Sequence, residues 1–200
     1  KVIEKKIQES PKSTTLHVMK GLLLNEMHMY IPAVRTLNDA QLIESRHPGI
    51  HYGFCEVYRN LGMSHLSLRA CRVAEEVHRL SPEAHYEYAQ TLIANGEMKL
   101  ANKSLSTAAE LDPNNAQYHY QRGMNFYYLN QYEAAENAFL KALSIDTSDV
   151  DSAYQLAYIY AAQKKATLAN QQIVKVLQIQ KEHPKIQSAK LLLEYLKNNA

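Results

Sequence analysis

Apolar residues along this chain recur at intervals of three and four, the spacing of an amphipathic helix. The pattern as a whole returns every 34 residues, so the chain can be written in rows of that length. Each row holds two columns of small residues separated by bulky apolar columns. Large side chains are excluded where two helix backbones cross closely, so each row predicts a hairpin of two helices. The five rows are 14–47, 48–81, 82–115, 116–149 and 150–183, and the small columns are Gly21, Cys55, Ala89, Gly123, Ala157 and Ala33, Ser67, Ala101, Ala135, Ala169.

One column between the two predicted helices of each row suits a turn. Glycine and asparagine tolerate the left-handed backbone that ends a helix, whereas histidine and lysine are poorer choices there. We therefore expect a left-handed turn in every row, least favoured in the first and the last. The column holds His28, Gly62, Gly96, Asn130 and Lys164.

These columns together resemble the tetratricopeptide repeat family over about 170 of the 200 residues. The chain departs from the family's pattern where tryptophan is favoured, because it has no tryptophan and places a column of histidines there. The resemblance implies an all-α fold, an α-solenoid of helix-turn-helix repeats forming a right-handed superhelix with a concave groove. The best row, 116–149, has Gly123, Phe126, Ala135, Phe139 and Ala142 at the family's signature places.

The two ends of the chain carry further helical patterns. Residues 1–13 read as the second-helix remnant of a preceding repeat that was cut when the chain was defined. Residues 184–200 predict a C-terminal capping helix, because the last repeat of an array needs a polar outer cover. Its inward positions are Ile186, Ala189, Leu193 and Leu196.

In the tetratricopeptide repeat family the first helix of each pair lines the concave groove, so the resemblance assigns one surface to ligand binding. A tyrosine column falls on it, and tyrosine offers a large rigid face that is common at binding surfaces. The alternative is that these rings pack on the neighbouring repeat, and binding is favoured most in the last two rows. The predicted groove residues are Tyr52, Glu56, Arg59, Tyr86, Gln90, Tyr120, Met124, Tyr127, Tyr128, Tyr154 and Tyr158.

The charges expected along this groove are mainly acidic. Chaperone-binding members of the family use Lys, Arg and Asn there to hold an acidic C-terminal carboxylate, and that clamp is missing here. A ligand with apolar and some basic side chains fits better, and such charge matching acts on specificity more than on affinity. The groove charges are Glu56, Glu83, Glu87 and Asp151 against Arg59.

The histidine column, His17, His51, His85 and His119, begins each first helix where the family has a large, partly buried ring. We expect packing rather than metal binding, because equivalent atoms of adjacent repeats lie ~10 Å or more apart. Cys55 and Cys71 occupy core columns and should face each other. Two buried thiols are expected, with a disulfide across the hairpin as the alternative.

Other classes of function find little support in the sequence. A net charge of +2 without a basic cluster argues against nucleic-acid binding. No apolar run approaches the ~20 residues that span a bilayer, so no membrane insertion is expected. The chain has no phosphate-cradling glycine motif and no nucleophile elbow, and we predict no enzyme activity, no cofactor and no metal. The acidic pairs Glu75-Glu76 and Glu133 through Glu136 are expected on solvated helix faces.

The sequence therefore predicts a non-enzymatic scaffold or adaptor for protein–protein interaction, which binds a peptide or helix segment of a protein partner in a tyrosine-rich groove. The composition fits a bacterial protein, and assembly factors of type IV pilus biogenesis are one similar subgroup. Two alternatives stay open. One is that the chain is a repeat region excised from a larger enzyme, such as a transferase; the other is that it is a structural protein that self-associates as a homo-oligomer. The compartment is open between cytoplasm and periplasm.

Overall fold

The computed structural model describes residues 2–179 and 184–198, and every regular element in these ranges is an α-helix. The predicted all-α fold built from successive helical hairpins is confirmed. Residues 180–183, assigned to the fifth row, and residues 199–200 of the expected cap lie outside the described residues. The helices are α1 Val2–Glu9, α2 Thr14–Glu26, α3 Tyr30–Ile43, α4 Pro48–Asn60, α5 Ser64–Val77, α6 Pro82–Ala94, α7 Met98–Leu111, α8 Ala116–Tyr128, α9 Tyr132–Ile145, α10 Val150–Ala162, α11 Ala166–Ile179 and α12 Lys185–Asn198.

The helices form two compact units, residues 1–111 and residues 112–200. In the first unit the hairpins α2–α3, α4–α5 and α6–α7 stack in succession, and α1 lies against α2. In the second unit the hairpins α8–α9 and α10–α11 stack, and α12 packs against α10 and α11. Ala189 and Leu196 of α12 are buried in the core of this unit, and Ile186 and Leu193 pack against it.

Side-chain caps fix where several of the first helices begin. The Ser13 hydroxyl accepts the N–H of Leu16 at 3.4 Å, and the Asp149 carboxylate accepts the N–H of Ser152 at 3.1 Å. Helix α6 combines a proline in its first turn with a Ser81 cap. Such caps satisfy N–H groups that have no partner within the helix.

The predicted left-handed turns are confirmed in all five hairpins. Backbone φ is +71° at Gly62 and +80° at Gly96, and 58° to 59° at His28, Asn130 and Lys164. Each residue lies between the first and second helix of its hairpin, where the chain must reverse within a few residues. The same geometry thus recurs whether or not glycine is present.

The small columns are the points of closest helix approach, as predicted. A Cβ placed on Gly123 would lie 2.6 Å from Cε1 of Phe139, and one on Gly21 would lie 2.9 Å from Cδ2 of Leu37. Ala135 on the facing helix has no solvent exposure. At these two crossings no further methyl group fits unless the facing side chain moves.

The histidine column packs as expected, and it also makes a repeated hydrogen bond. Nε2 of His85 donates to the carbonyl of Arg79 at 2.9 Å, and Nε2 of His119 donates to that of Pro113 at 3.2 Å. His51 is bonded in the same way to Ser45, again six residues earlier. Because these carbonyls lie between one hairpin and the next, the imidazole ties the connection to the helix that follows it.

The expectation of free thiols at Cys55 and Cys71 was wrong. The two sulfur atoms form a disulfide between α4 and α5, with 4.8 Å between the Cα atoms. Both residues sit in small crossing columns, so their Cα atoms come within the range that a disulfide spans. The alternative stated from the sequence is therefore the one that the structure shows.

Replacing Gly123 by Ala is expected to destabilise the protein. Alanine adds helix propensity of up to about 1 kcal/mol, but its methyl group would overlap the fully buried ring of Phe139, and overpacking costs about 1–3 kcal/mol. Urea unfolding should therefore show a lower midpoint. The control Asn137→Ala, at an exposed position of α9, measures the propensity gain alone, and an equal gain for both variants would contradict the packing at this crossing.

Replacing Lys164 by Gly is expected to stabilise the protein, because Lys164 holds a φ of 58°. The left-handed conformation costs a non-glycine residue about 1–2 kcal/mol, part of which is offset by the greater freedom of glycine in the unfolded chain. A net gain of about 0.5–1 kcal/mol should appear in thermal or urea unfolding. The same substitution at Lys175, inside α11, should lower stability; a loss at both positions would contradict the interpretation.

Candidate functional site

Four tyrosines meet in the second unit, at the end of α8 and the start of α9. The ring of Tyr127 lies edge-to-face against those of Tyr128 and Tyr132, at 5.8 Å between centroids, and against that of Tyr158 at 6.2 Å. Tyr127 is also hydrogen-bonded to Tyr158, and burial raises the pKa of Tyr127. The outer rings are 57% exposed at Tyr128, 44% at Tyr158 and 42% at Tyr132. We call these four residues the tyrosine cluster.

Tyr120 and Met124 lie further back along α8 and pack against the core of the unit. The Tyr120 ring lies 5.8 Å from that of Phe139, and its hydroxyl is hydrogen-bonded to Gln155. Burial, and then the charge of Asp151, raises the pKa of Tyr120 to about 12. The Tyr120 hydroxyl is therefore neutral at any physiological pH. The side chain lies half in the core and half on the surface.

Tyr154 of α10 is engaged by the C-terminal helix. Its ring packs against the core, and the ammonium group of Lys185 in α12 lies 5.0 Å from the ring centroid. Lysine over an aromatic face is an attractive contact between cation and ring quadrupole. This tyrosine therefore uses one of its ring faces within the chain.

Two predicted residues of the first unit, Glu56 and Arg59, lie with Glu87 in an acidic patch. Arg59 of α4 donates to the carboxylate of Glu87 in α6 at 2.6 Å, and both side chains are partly buried. Burial raises the pKa of Glu56, and the neighbouring charges of Glu87 and Glu26 raise it further, whereas Arg59 opposes this. Because Arg59 is paired with Glu87, the Glu56 carboxylate lies in a site that disfavours its negative charge.

The structure brings the other predicted residues of the first unit together less clearly than those of the acidic patch. Tyr86 is partly exposed and packs against the core of α6 and α7, as the packing alternative proposed. Tyr52 is partly exposed on α4. Gln90 is partly buried, and its Nε2 has no hydrogen-bond partner among the described residues.

Sequence reasoning missed Tyr132, which belongs to the cluster although it opens a second helix. A rule that takes binding residues from first helices alone passes over it. The signal was the turn itself: Asn130 reverses the chain, so the start of α9 must return beside the end of α8. The hydroxyl of Tyr132 donates to the Asn130 side chain at 3.0 Å and so fixes the ring at this turn.

Two carboxylates expected on solvated faces are engaged in the structure instead. Glu75 is bonded to Nδ1 of His85 at 2.9 Å and accepts from the Ser104 hydroxyl at 3.1 Å. Glu136 accepts from the Tyr160 hydroxyl at 2.9 Å, which together with burial raises the pKa of Tyr160 to about 12. Both glutamates lie on second helices where the next hairpin reaches them, so stacking rather than helix periodicity decides their environment.

Within the described residues, no group of three or more His, Cys, Asp or Glu side chains is placed to hold a metal ion. The helices in those same ranges include none with the length and apolar character needed to cross a bilayer.

Comparison with known proteins places the hairpins in a family. Models of the tetratricopeptide repeat match residues 82–115 and residues 116–149. This chain contains tetratricopeptide repeats. The predicted resemblance is thereby confirmed, and the coarse function is that of a protein-interaction scaffold.

Solved tetratricopeptide repeat structures share the fold at low sequence identity. YrrB, described as having an unusual peptide-binding site, is 21% identical with a TM-score of 0.73, covering 99% of this chain and 98% of its own. MamA of Desulfovibrio magneticus RS-1 is 18% identical at 0.75, covering 86% and 97%. PilF of Pseudomonas aeruginosa is 15% identical at 0.78, covering 93% and 89%. No curated protein sequence matches the chain significantly.

Replacing Glu56 by Gln is expected to stabilise this repeat protein at neutral pH. A carboxyl group whose pKa is raised on folding destabilises the fold once pH exceeds that raised value, and it has no such effect below the unfolded pKa of about 4.3. Thermal unfolding should therefore show a higher midpoint for Glu56→Gln at pH 7, with the difference disappearing towards pH 4. Glu110→Gln, at an exposed position of α7, is the control, and equal midpoints of Glu56→Gln and wild type at pH 7 would contradict the assignment.

Proposed function

We propose that this protein is a non-enzymatic adaptor that binds a peptide or helix segment of a protein partner on surfaces lined by its first helices. The observation that carries the proposal is the tyrosine cluster, where three rings from three helices stand 42–57% exposed around a fourth. Exposed aromatic groups gathered in this way mark interaction sites, because they offer large contact area at low entropic cost.

In the second unit the proposed surface follows α8 and α10. Tyr120 and Met124 supply a half-buried floor, and the cluster supplies its exposed end. The negative charges of Asp149 and Asp151 act on Tyr120 at the opposite end. The surface is thus aromatic at one end and acidic at the other, which suits a segment with apolar and basic side chains.

In the first unit we propose a second contact surface made by Tyr52, Glu56, Arg59, Tyr86 and Gln90 on α4 and α6. Its character differs, because Glu56 lies half-buried beside the Arg59–Glu87 ion pair. A basic side chain of the ligand would add to the positive charge of Arg59, which only partly offsets the burial of Glu56 and the charges of Glu87 and Glu26. Both surfaces therefore favour a ligand that carries positive charge.

The similarity to solved structures does not assign a narrower role, so the narrower roles stay predictions. YrrB has a peptide-binding site by its own description, which is consistent with peptide binding here. The likeness to PilF is one of fold at 15% identity, so a role in pilus assembly stays a prediction, as do attachment to an enzyme and self-association.

A displayed library of random peptides tests the proposal. Selected peptides should bind the wild-type protein and bind a Tyr128→Ala, Tyr158→Ala double variant roughly tenfold more weakly or worse, since interface tyrosines are frequent binding hot spots. The two side chains are 57% and 44% exposed, so the fold should tolerate their loss, and circular dichroism checks this.

The matched control is Leu140→Ala, which removes a 41% exposed apolar side chain from the second helix α9. Its affinity for the selected peptides should equal that of the wild type. If no peptide is selected, or if both variants bind as the wild type does, the tyrosine surface is not the binding site.

A further inference from the structure

The tyrosine cluster borders an open depression of about 530 Å³. The depression lies at the α8–α9 turn and the end of α10, and Tyr132 belongs both to it and to the cluster. Aromatic rings, a carboxylate and side-chain amides therefore meet at one place on the surface of the second unit. The lining residues are Asn130, Gln131, Tyr132, Glu133, Ala134 and Gln163.

Other rings of the second unit already hold a cation from this chain. Arg122 lies 5.3 Å from the centroid of Phe126, Lys165 lies 5.7 Å from that of Tyr160, and Lys185 covers Tyr154. Among the described residues no lysine or arginine is placed over a ring of the tyrosine cluster in this way. The electron-rich faces of its exposed rings are thus open to a cation from outside the chain.

The depression also offers hydrogen-bond acceptors. Gln163 lines the depression, and its buried Oε1 has no hydrogen-bond partner among the described residues. Glu133 is exposed and supplies a carboxylate beside Tyr132. Lys164 and Lys165 follow Gln163 in the chain but do not line the depression, and Lys165 lies over the Tyr160 ring. A ligand here must bring donors and positive charge.

We propose that the tyrosine cluster and this depression bind an arginine side chain of the partner segment. The guanidinium group would stack on Tyr132 or Tyr128 and donate to Glu133 and Gln163. Arginine fits better than lysine because it is planar, carries five N–H donors and is weakly hydrated, so it stacks and donates at once. This inference rests on the proposed peptide-binding function and names the side chain that the surface selects.

A single-side-chain probe tests the inference without a known partner. N-acetyl-arginine amide is titrated into the whole protein with labelled tyrosines, and the ring resonances are followed by NMR at constant ionic strength. The resonances of Tyr128, Tyr132 and Tyr158 should shift in a saturable way, while that of the exposed Tyr195 in α12 should not. The neutral isostere, N-acetyl-citrulline amide, should produce much smaller shifts, and the corresponding lysine compound should bind several-fold more weakly.

Variants separate ring faces from general surface effects. Tyr128→Phe keeps the ring face and should keep arginine binding, whereas the double variant Tyr128→Leu, Tyr132→Leu removes both candidate faces and should weaken binding several-fold. Glu133→Gln should weaken it while leaving the fold unchanged, because Glu133 is exposed.

Equal shifts with the arginine and citrulline probes, or none with either, would overturn the inference. The peptide-library experiment tests the proposed function separately from the arginine site. Library peptides that depend on Tyr128 and Tyr158 but bind a citrulline substitute as well as arginine leave the proposed function intact and remove only the arginine site. Loss of library binding with a retained arginine response would remove the proposed function instead.

Discussion

The structure depends on one constraint: a helical hairpin buries its apolar face only when a neighbouring hairpin stacks on it. One column shows this directly. Val57 and Ile159 are at most 1% exposed where a preceding hairpin covers them, whereas Leu23, in the same column of the first hairpin, is 44% exposed. Stability in such an array comes from each hairpin and its contact with its neighbours. The small crossing residues matter for the same reason, because Gly123 and Ala135 let helices approach until side chains interlock.

Stacking also decides which side chains are not needed for packing and are available for binding. The core takes the bulky columns and the crossings take the small ones, so the remaining positions of the first helices are free to vary. At those positions this chain places tyrosines that packing only partly uses: Tyr120 is half in the core, while Tyr128 and Tyr158 are mostly beyond it. The histidine column is the opposite case, because its rings are hydrogen-bonded to carbonyl groups between hairpins, as at His85 and His119.

The fold was predictable because its determinants are local and repeated. The left-handed turns followed from a single column, and they form even at His28 and Lys164, where the residue is unfavourable. What the sequence did not reveal arises where side chains from different hairpins meet. Periodicity placed Glu75 on a solvated face, but stacking brings His85 and Ser104 to it. Tyr132 was missed because the turn, not a helix column, carries it to the cluster.

In the function that we propose, the two units favour basic ligands for different physical reasons. In the first unit the carboxylates outnumber the one arginine beside them, and Glu87 occupies that arginine, so Glu56 bears the desolvation of a half-buried charge. In the second unit the ring faces of the tyrosine cluster, which carry no net charge and cost little to desolvate, add to the carboxylate of Glu133. A carboxylate attracts lysine and arginine alike, but an exposed ring face beside acceptors favours the planar guanidinium. The aromatic surface is therefore the one able to discriminate between basic side chains, and the acidic patch can add only attraction.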